Sequence, residues 1–229
     1  MKKGLLALSA ATLFVMTTPV QAKQEICVFD LLGRAGESYK LIEEWKLAAK
    51  NWQGDIELIP YQDEKKAEQD FDAGKCDGVY MTSMRARKYN KFAGSIDAAG
   101  AVTSNAIAQK AISFVLDNRN KHRLTASVGG EKYEVAGIIQ VGLAYIFVRD
   151  KNIDTIEKAK GKKFAYLHYD QAQKTIVESI DLIAVPSDIS NFVKKFNSGQ
   201  VDVIAAPAYA YKPLEISKGM ANGALFNFP

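Results

Sequence analysis

The chain has 229 residues, 48% hydrophobic and 24% charged, with a formal net charge of +4. That charge is too small to argue for nucleic acid, and no basic tract with interleaved aromatic residues occurs. Beyond the N-terminus no segment is apolar enough to span a bilayer.

The N-terminus itself reads as an export signal. Lys2 and Lys3 precede the apolar run Gly4–Met16, and TTPVQA then places Val20 and Ala22 at the recognition positions of a small-residue cleavage site. The apolar run has 13 residues, against the roughly 18 or more of a spanning helix. Gln24-Glu25-Ile26 lacks the small residues of a lipoprotein site before Cys27. A signal peptide at 1–22, cleaved after Ala22, and a mature periplasmic chain beginning at Lys23 are therefore expected. The mature chain would keep 207 residues and a net charge of +2, a length that suits one large domain or two small lobes.

In chain order, EICVFD is the first expected strand and carries Cys27. Glu37–Trp52 reads as a helix with an apolar stripe of Leu41, Trp45, Ala48, Ala49 and Trp52. IELIPY is a second strand closed by Pro60. Asp63 is a helix N-cap and Gly74 the residue just past that helix. CDGVYMT is a third strand, opened by Cys76. In an oxidising compartment an even cysteine count invites pairing. A Cys27–Cys76 disulfide is one reading, and two buried free thiols the other.

Residues 85–160 form a middle segment. Ser95–Asn118 reads mainly as helix, and His122–Asp150 as strands with a Gly129-Gly130 turn. Val135–Val148 is long enough for two strands crossing between lobes, with a hinge near 137–145.

After residue 160 the pattern repeats. KKFAYL is a strand and DQAQKTIVESI a helix. IDLIAV is a strand, with Ser187 or Asp188 as N-cap of a helix whose face is Ile189, Phe192, Val193 and Phe196. VDVIAAPA is the last strand. The spacing Phe-x-x-Gly-x-x-Asp occurs twice, at Phe71/Gly74/Asp77 and Phe196/Gly199/Asp202. Two strand–helix–strand–helix–strand halves follow, at about 24–84 and 161–208, with parallel strands and right-handed crossovers. Two such α/β lobes, one closing over a ligand that the other holds, explain why the unit is built twice.

In open α/β sheets the ligand sits outside the carboxyl ends of the strands. Those positions offer Arg34 and Ser38, then Thr82, Ser83, Arg85 and Arg87, then Tyr169, and then Tyr209 and Tyr211. Arg34, between Gly33 and Gly36 and ahead of the Glu37–Trp52 helix, is the expected anchor for an anionic group, helped by that helix's dipole. Arg34 paired with Glu37 in a solvated loop is the competing view. Nothing argues for catalysis or a cofactor: His122 and His168 are 46 residues apart, and no H-E-x-x-H, C-x-x-C, G-x-S-x-G or P-loop is present. His168 reads as a capping or surface residue.

The signal pattern, the doubled Phe-x-x-Gly-x-x-Asp and Asn152–Leu167 (NIDTIEKAKGKKFAYL) together resemble the type II periplasmic solute-binding proteins, particularly those of TRAP-type, DctP-like transporters. The overall look is similar to AdeT-like solute-binding proteins, sometimes labelled as components of RND multidrug efflux. The resemblance implies a two-lobed α/β fold of periplasmic binding protein type II, with the first and third strands side by side, which favours the disulfide. It implies lobe 1 at 23–136, lobe 2 at 137–212, and 213–229 as a tail or the start of a return to lobe 1. It further implies a monomer that captures a small, anionic or zwitterionic ligand and delivers it to membrane transporter subunits. An accessory role in efflux and an enzyme on the same fold are the alternatives. Two departures stand out: Ala165 falls where TRAP receptors usually carry a ligand-pairing arginine, and the chain stops where family members run on, which reads as a C-terminal truncation.

Overall fold

The computed structural model describes residues 23–98 and 100–227; the expected signal peptide lies outside them. Both halves form as the repeat requires. In the first, β1 (Gln24–Phe29), α1 (Glu37–Ala49), β2 (Ile56–Tyr61), α2 (Glu64–Asp72) and β3 (Gly78–Tyr80) make a parallel sheet of order β2-β1-β3. The middle segment adds α3 (Ser83–Ala86), α4 (Asn105–Val115), α5 (Lys121–Leu124) and the hairpin β4 (Thr125–Val128) and β5 (Glu131–Glu134). The second half has β6 (Ala144–Val148), α6 (Ile156–Ala159), β7 (Lys163–Leu167), α7 (Gln171–Ser179), β8 (Ile183–Ser187), α8 (Phe192–Asn197), β9 (Val203–Pro207) and β10 (Ala224–Asn227). Its sheet has the order β10-β6-β9-β7-β8, with β7 parallel to β8 and β9, and β6 antiparallel to β9 and β10.

The doubled motif does one job twice. Asp77 accepts the Glu25 N–H at 2.7 Å through its side chain, while its own N–H donates to the Glu25 carbonyl at 2.8 Å. Asp202 does the same with Lys163, at 2.9 and 2.8 Å. Each aspartate therefore pins the start of the first strand to the start of the third. Three residues earlier, Gly74 and Gly199 turn out of the helix at φ +71° and +78°, where a β-carbon is unfavourable. Phe196 is fully buried in the second core; Phe71 is half-buried.

Cys27 and Cys76 form a disulfide, with Cα atoms 5.8 Å apart. Cys76 precedes β3, which begins at Gly78, and both cysteines lie in an apolar cluster with Phe29 and Ala67.

Four expectations need correction. The stripe expected to bury α1 is largely outside: Leu41, Trp45 and Trp52 are 45%, 44% and 72% exposed, and of its members only Ala49 is buried, together with Tyr39 and Ile42. Two adjacent faces of that helix are apolar, and only docking on the sheet selects one. The α8 N-cap is Asn191, not Ser187 or Asp188, and the helix begins at Phe192. The middle helix is confined to α4, capped by Ser104, after a short 3-10 turn at Ala93–Asp97. Finally, only Ala144–Val148 of the long apolar run is strand, and residues 135–143 cross without regular structure. The Gly129-Gly130 turn does close a hairpin, at φ +63° and +92°, as a two-residue type I′ loop demands.

The hairpin packs on the first half: the Tyr133 ring lies 4.8 Å from that of Tyr89 and 5.9 Å from that of Phe71. At the other end, β10 adds an edge strand to the second sheet beside β6, so residues 224–227 do not return to the first lobe.

Candidate ligand site between the lobes

The carboxyl ends of the parallel strands β1–β3 and β7–β9 lead into the junction between the lobes, and α3 brings Arg85 into it. The start of α2 reaches the same point. Its residues Glu64 and Glu68, one turn apart, lie on one helical face. Arg85 donates from Nε to Glu64 Oε2 at 3.0 Å and from Nη1 to Glu68 Oε2 at 2.6 Å. Glu64 also accepts the Thr82 N–H at 2.7 Å, which ties α2 to the turn before α3. Lys88 pairs with Glu68 at 2.7 Å and with Asp72, one turn further along α2, at 2.9 Å.

The second lobe closes this group from the other side. Arg85 Nη2 lies 3.4 Å from Asp188 Oδ1, and its guanidinium carbon sits 3.9 Å from the centre of the Tyr169 ring. The Tyr169 hydroxyl donates to Glu64 Oε2 at 3.2 Å. Arg87 Nη1 reaches Asp170 Oδ1 at 3.3 Å, and its Nε donates to the Gly94 carbonyl. Tyr169 and Asp170 follow β7, and Asp188 follows β8. Apolar contact crosses too: Leu31 packs on the second lobe's cluster around Phe192 and Phe196, and Ile189 on the cluster of Cys27 and Ala67.

The electrostatics follow from this enclosure. Burial disfavours the Arg85 charge, but the hydrogen bonds and charges of Glu64, then Glu68, more than offset it and raise its pKa above the usual arginine value. Burial raises the Tyr169 phenol, and the Glu64 carboxylate raises it further. Tyr209 follows β9 and stands opposite Tyr80, Asp30 and Glu64; partial burial first, then those groups, push its phenol up to about 12. Breaking one member of a buried ion network of this kind costs about 3–5 kcal/mol, because the partners stay buried and unpaired.

Of the residues expected at the site, the fold brings Thr82, Ser83, Arg85, Arg87 and Tyr169 together, with Tyr209 facing them. Ser38 is buried at the start of α1, away from the Arg85 group. Tyr211 stacks on Phe147 in the second core, 6.0 Å between centroids and 17° from parallel. Arg34 is exposed, its guanidinium 5.7 Å from the Tyr39 ring centre. The α1 N-terminus beside it is already taken: Asp30, 7% exposed, accepts the Tyr39 N–H at 3.2 Å and the Leu32 N–H at 2.8 Å. A β-carbon on Gly36 would collide with that carboxylate. His168 lies beside Tyr169, its ring nitrogen 3.1 Å from the Ser187 carbonyl. Ala165 is buried among Phe147, Phe192 and Phe196, so β7 presents no charge at that position.

Glu64, Glu68 and Asp170 are the residues that sequence reading passed over, and Asp188 was read only as a helix cap. Only the Glu64/Glu68 spacing carried a signal, four residues apart on a helix that precedes Arg85.

Two α/β lobes meeting at the carboxyl ends of their strands, with charged and tyrosine side chains from both at the junction, define a two-lobed binding protein. The chain belongs to the family described as solute-binding protein AdeT 1/2, which it matches over residues 44–226. It is 38% identical over 203 residues to the probable solute-binding protein AdeT1 of Acinetobacter baumannii, a match covering 88% of this chain and 66% of that one. The fold is that of the TRAP periplasmic solute-binding proteins. One from Ochrobacterium anthropi, solved with bound L-fuconate, superimposes with a TM-score of 0.63 at 17% identity, over 86% of this chain and 66% of that one. Another, from Desulfovibrio salexigens with bound orotic acid, gives 0.64 at 16%, over 90% and 70%.

Proposed function

We propose that this protein captures a small anionic or zwitterionic solute between its two lobes in the periplasm and hands it to membrane transporter subunits, without transforming it. The observation that supports this most is the junction itself: Arg85 and Arg87 follow the last strand of one sheet, and they meet Tyr169 and Asp170, which follow a strand of the other. The acids named for the two solved neighbours, fuconate and orotate, are the first ligand class to try. The division into lobes at 23–136 and 137–212, with a hinge near residues 137–145, belongs to the same proposal; Gly142, at φ +118°, is the residue there with unusual backbone freedom. Export with cleavage after Ala22 completes it. Among the described residues no helix is long and apolar enough to cross a membrane.

The test is a thermal-shift screen of sugar acids, pyrimidine carboxylates and aromatic acids on the mature protein, followed by calorimetry and by chromatography of the recovered ligand. A saturable upward shift with the ligand returned intact is expected. Chemical conversion of the ligand would overturn the binding role, and the absence of a shift across all three acid classes would overturn the ligand class.

A further inference from the structure

We infer that Asp188 and Asp170 form an internal latch, holding Arg85 and Arg87 where a carboxylate ligand would otherwise bind, so that an acid enters by displacing them. The inference rests on the binding role proposed above. Its geometric basis is the asymmetry of the contacts around Arg85. Within the first lobe the guanidinium is fixed at short range, 3.0 Å to Glu64 and 2.6 Å to Glu68. Across the junction the ion pairs are longer, 3.4 Å for Arg85–Asp188 and 3.3 Å for Arg87–Asp170. Glu64 and Glu68 therefore aim Arg85 at the second lobe whether or not Asp188 is present. That is the preorganisation an acid-binding arginine needs.

Burial points the same way. The Arg85 side chain is only 5% exposed, but Asp188 is 19% and Arg87 26% exposed. The crossing pairs sit where water and dissolved ions reach one partner, so they are the part that salt can screen. The two acids hold their places by backbone contacts of their own. Asp170 caps α7 by accepting the Gln173 N–H, and Asp188 accepts the Ile189 N–H. Asparagine can accept the same bonds while losing the charge. A ligand carboxylate that takes the place of Asp188 leaves the charge balance around Arg85 unchanged, so the exchange needs no new counter-ion.

The other contacts across the junction are the Tyr169 hydroxyl on Glu64, the Tyr169 ring against Arg85, and apolar packing at Leu31 and Ile189 that salt does not weaken. Those contacts are untouched by substitution of the two aspartates, so comparing the salt response with and without Asp188 and Asp170 reports the ionic latch. The experiment measures the distance between the lobes in the mature, ligand-free protein, by small-angle scattering and by a spin-label pair with one label on each lobe. The variants are Asp188→Asn, Asp170→Asn and the double substitution, with circular dichroism as the check on folding. The expected result is a longer interlobe distance in the double variant at low salt. In the unmodified protein the distance should grow with ionic strength, and sodium acetate should lengthen it more than sodium chloride at equal ionic strength. An interlobe distance that ignores salt type, salt concentration and both substitutions overturns the latch, even if acids prove to bind. The salt series uses the unmodified chain, so its outcome does not depend on the variants folding. A latch that responds as expected while no acid shifts the thermal transition would leave the latch standing and remove the ligand class.

Discussion

The two βαβαβ units solve one problem with different materials. In each, the middle strand pairs with its neighbours in the same order, and a proline stands at the same register, Pro60 opposite Val28 and Pro186 opposite Tyr166. The Asp77–Glu25 and Asp202–Lys163 bonds then fix the equivalence of the strands: Cys27 corresponds to Ala165, and Cys76 to Val201. The first unit joins that pair of positions by a disulfide, and the second packs them into an apolar core with Phe196, all three under 5% exposed. A three-stranded sheet with a half-buried Phe71 has less apolar surface to close on than a five-stranded one with a fully buried Phe196. A covalent link is the remedy small units commonly adopt.

The most damaging way to break this comparison is to remove the link. Cys27→Ala with Cys76→Val imitates the second unit. It frees a closed loop with 49 residues of sequence separation, and the loss should be about 4 kcal/mol in the chain-entropy account. Urea unfolding of the variant against the oxidised protein measures it, and an unchanged midpoint would show that packing already closes the first unit.

Phe196→Ala is the matching injury to the second unit. A fully buried phenylalanine should cost about 3–5 kcal/mol, against roughly 2 for the half-buried Phe71→Ala. Equal losses would remove the claim that the two units rely on packing to different degrees.

The shared aspartates provide the control. Asp77→Ala and Asp202→Ala each delete one acceptor at a strand start, and each should cost about 1 kcal/mol. Amide exchange at Glu25 and Lys163 should rise in the respective variant and nowhere else in the other unit. Unequal effects would mean that the motif is repeated in sequence but not in energy.

The smallest effect expected is at the seam between the units. The Tyr209 phenol is raised from 10.0 to about 12 in the folded protein. A raised phenol keeps its proton longer when folded than when unfolded. Its contribution to stability is whole below about pH 10 and is lost as pH rises toward 12. Tyr209→Phe should leave neutral-pH stability almost unchanged and remove one late-titrating phenol from the ultraviolet titration near 295 nm. A titration with the same late component would place Tyr209 in open solvent.

Much of this architecture was readable before any coordinates. The apolar strand runs of the two units, Asp63 as N-cap, Gly74 and Gly199 past their helices, and the Gly129-Gly130 hairpin appear where expected. These are local features, governed by backbone freedom and by bonds within a few residues. The errors fall where two local answers were equally good. The α1 helix has two apolar faces, and the sequence preferred the one with Trp45 and Trp52. Arg34 sits in a loop that looks built for an anion, but the anion there is Asp30, four residues upstream.

By itself the sequence determined that there are two units, how their strands and helices alternate, and which aspartates mark equivalent places. Periodicity and turn chemistry are short-range properties and survive being read one residue at a time. Tertiary structure alone decided what Arg85 does. Its partners Glu64, Glu68, Tyr169 and Asp188 come from both lobes, as far as 103 positions away in the chain. An arginine's role depends on which carboxylates the fold brings within about 4 Å of it, and no local pattern records how two lobes are set against each other.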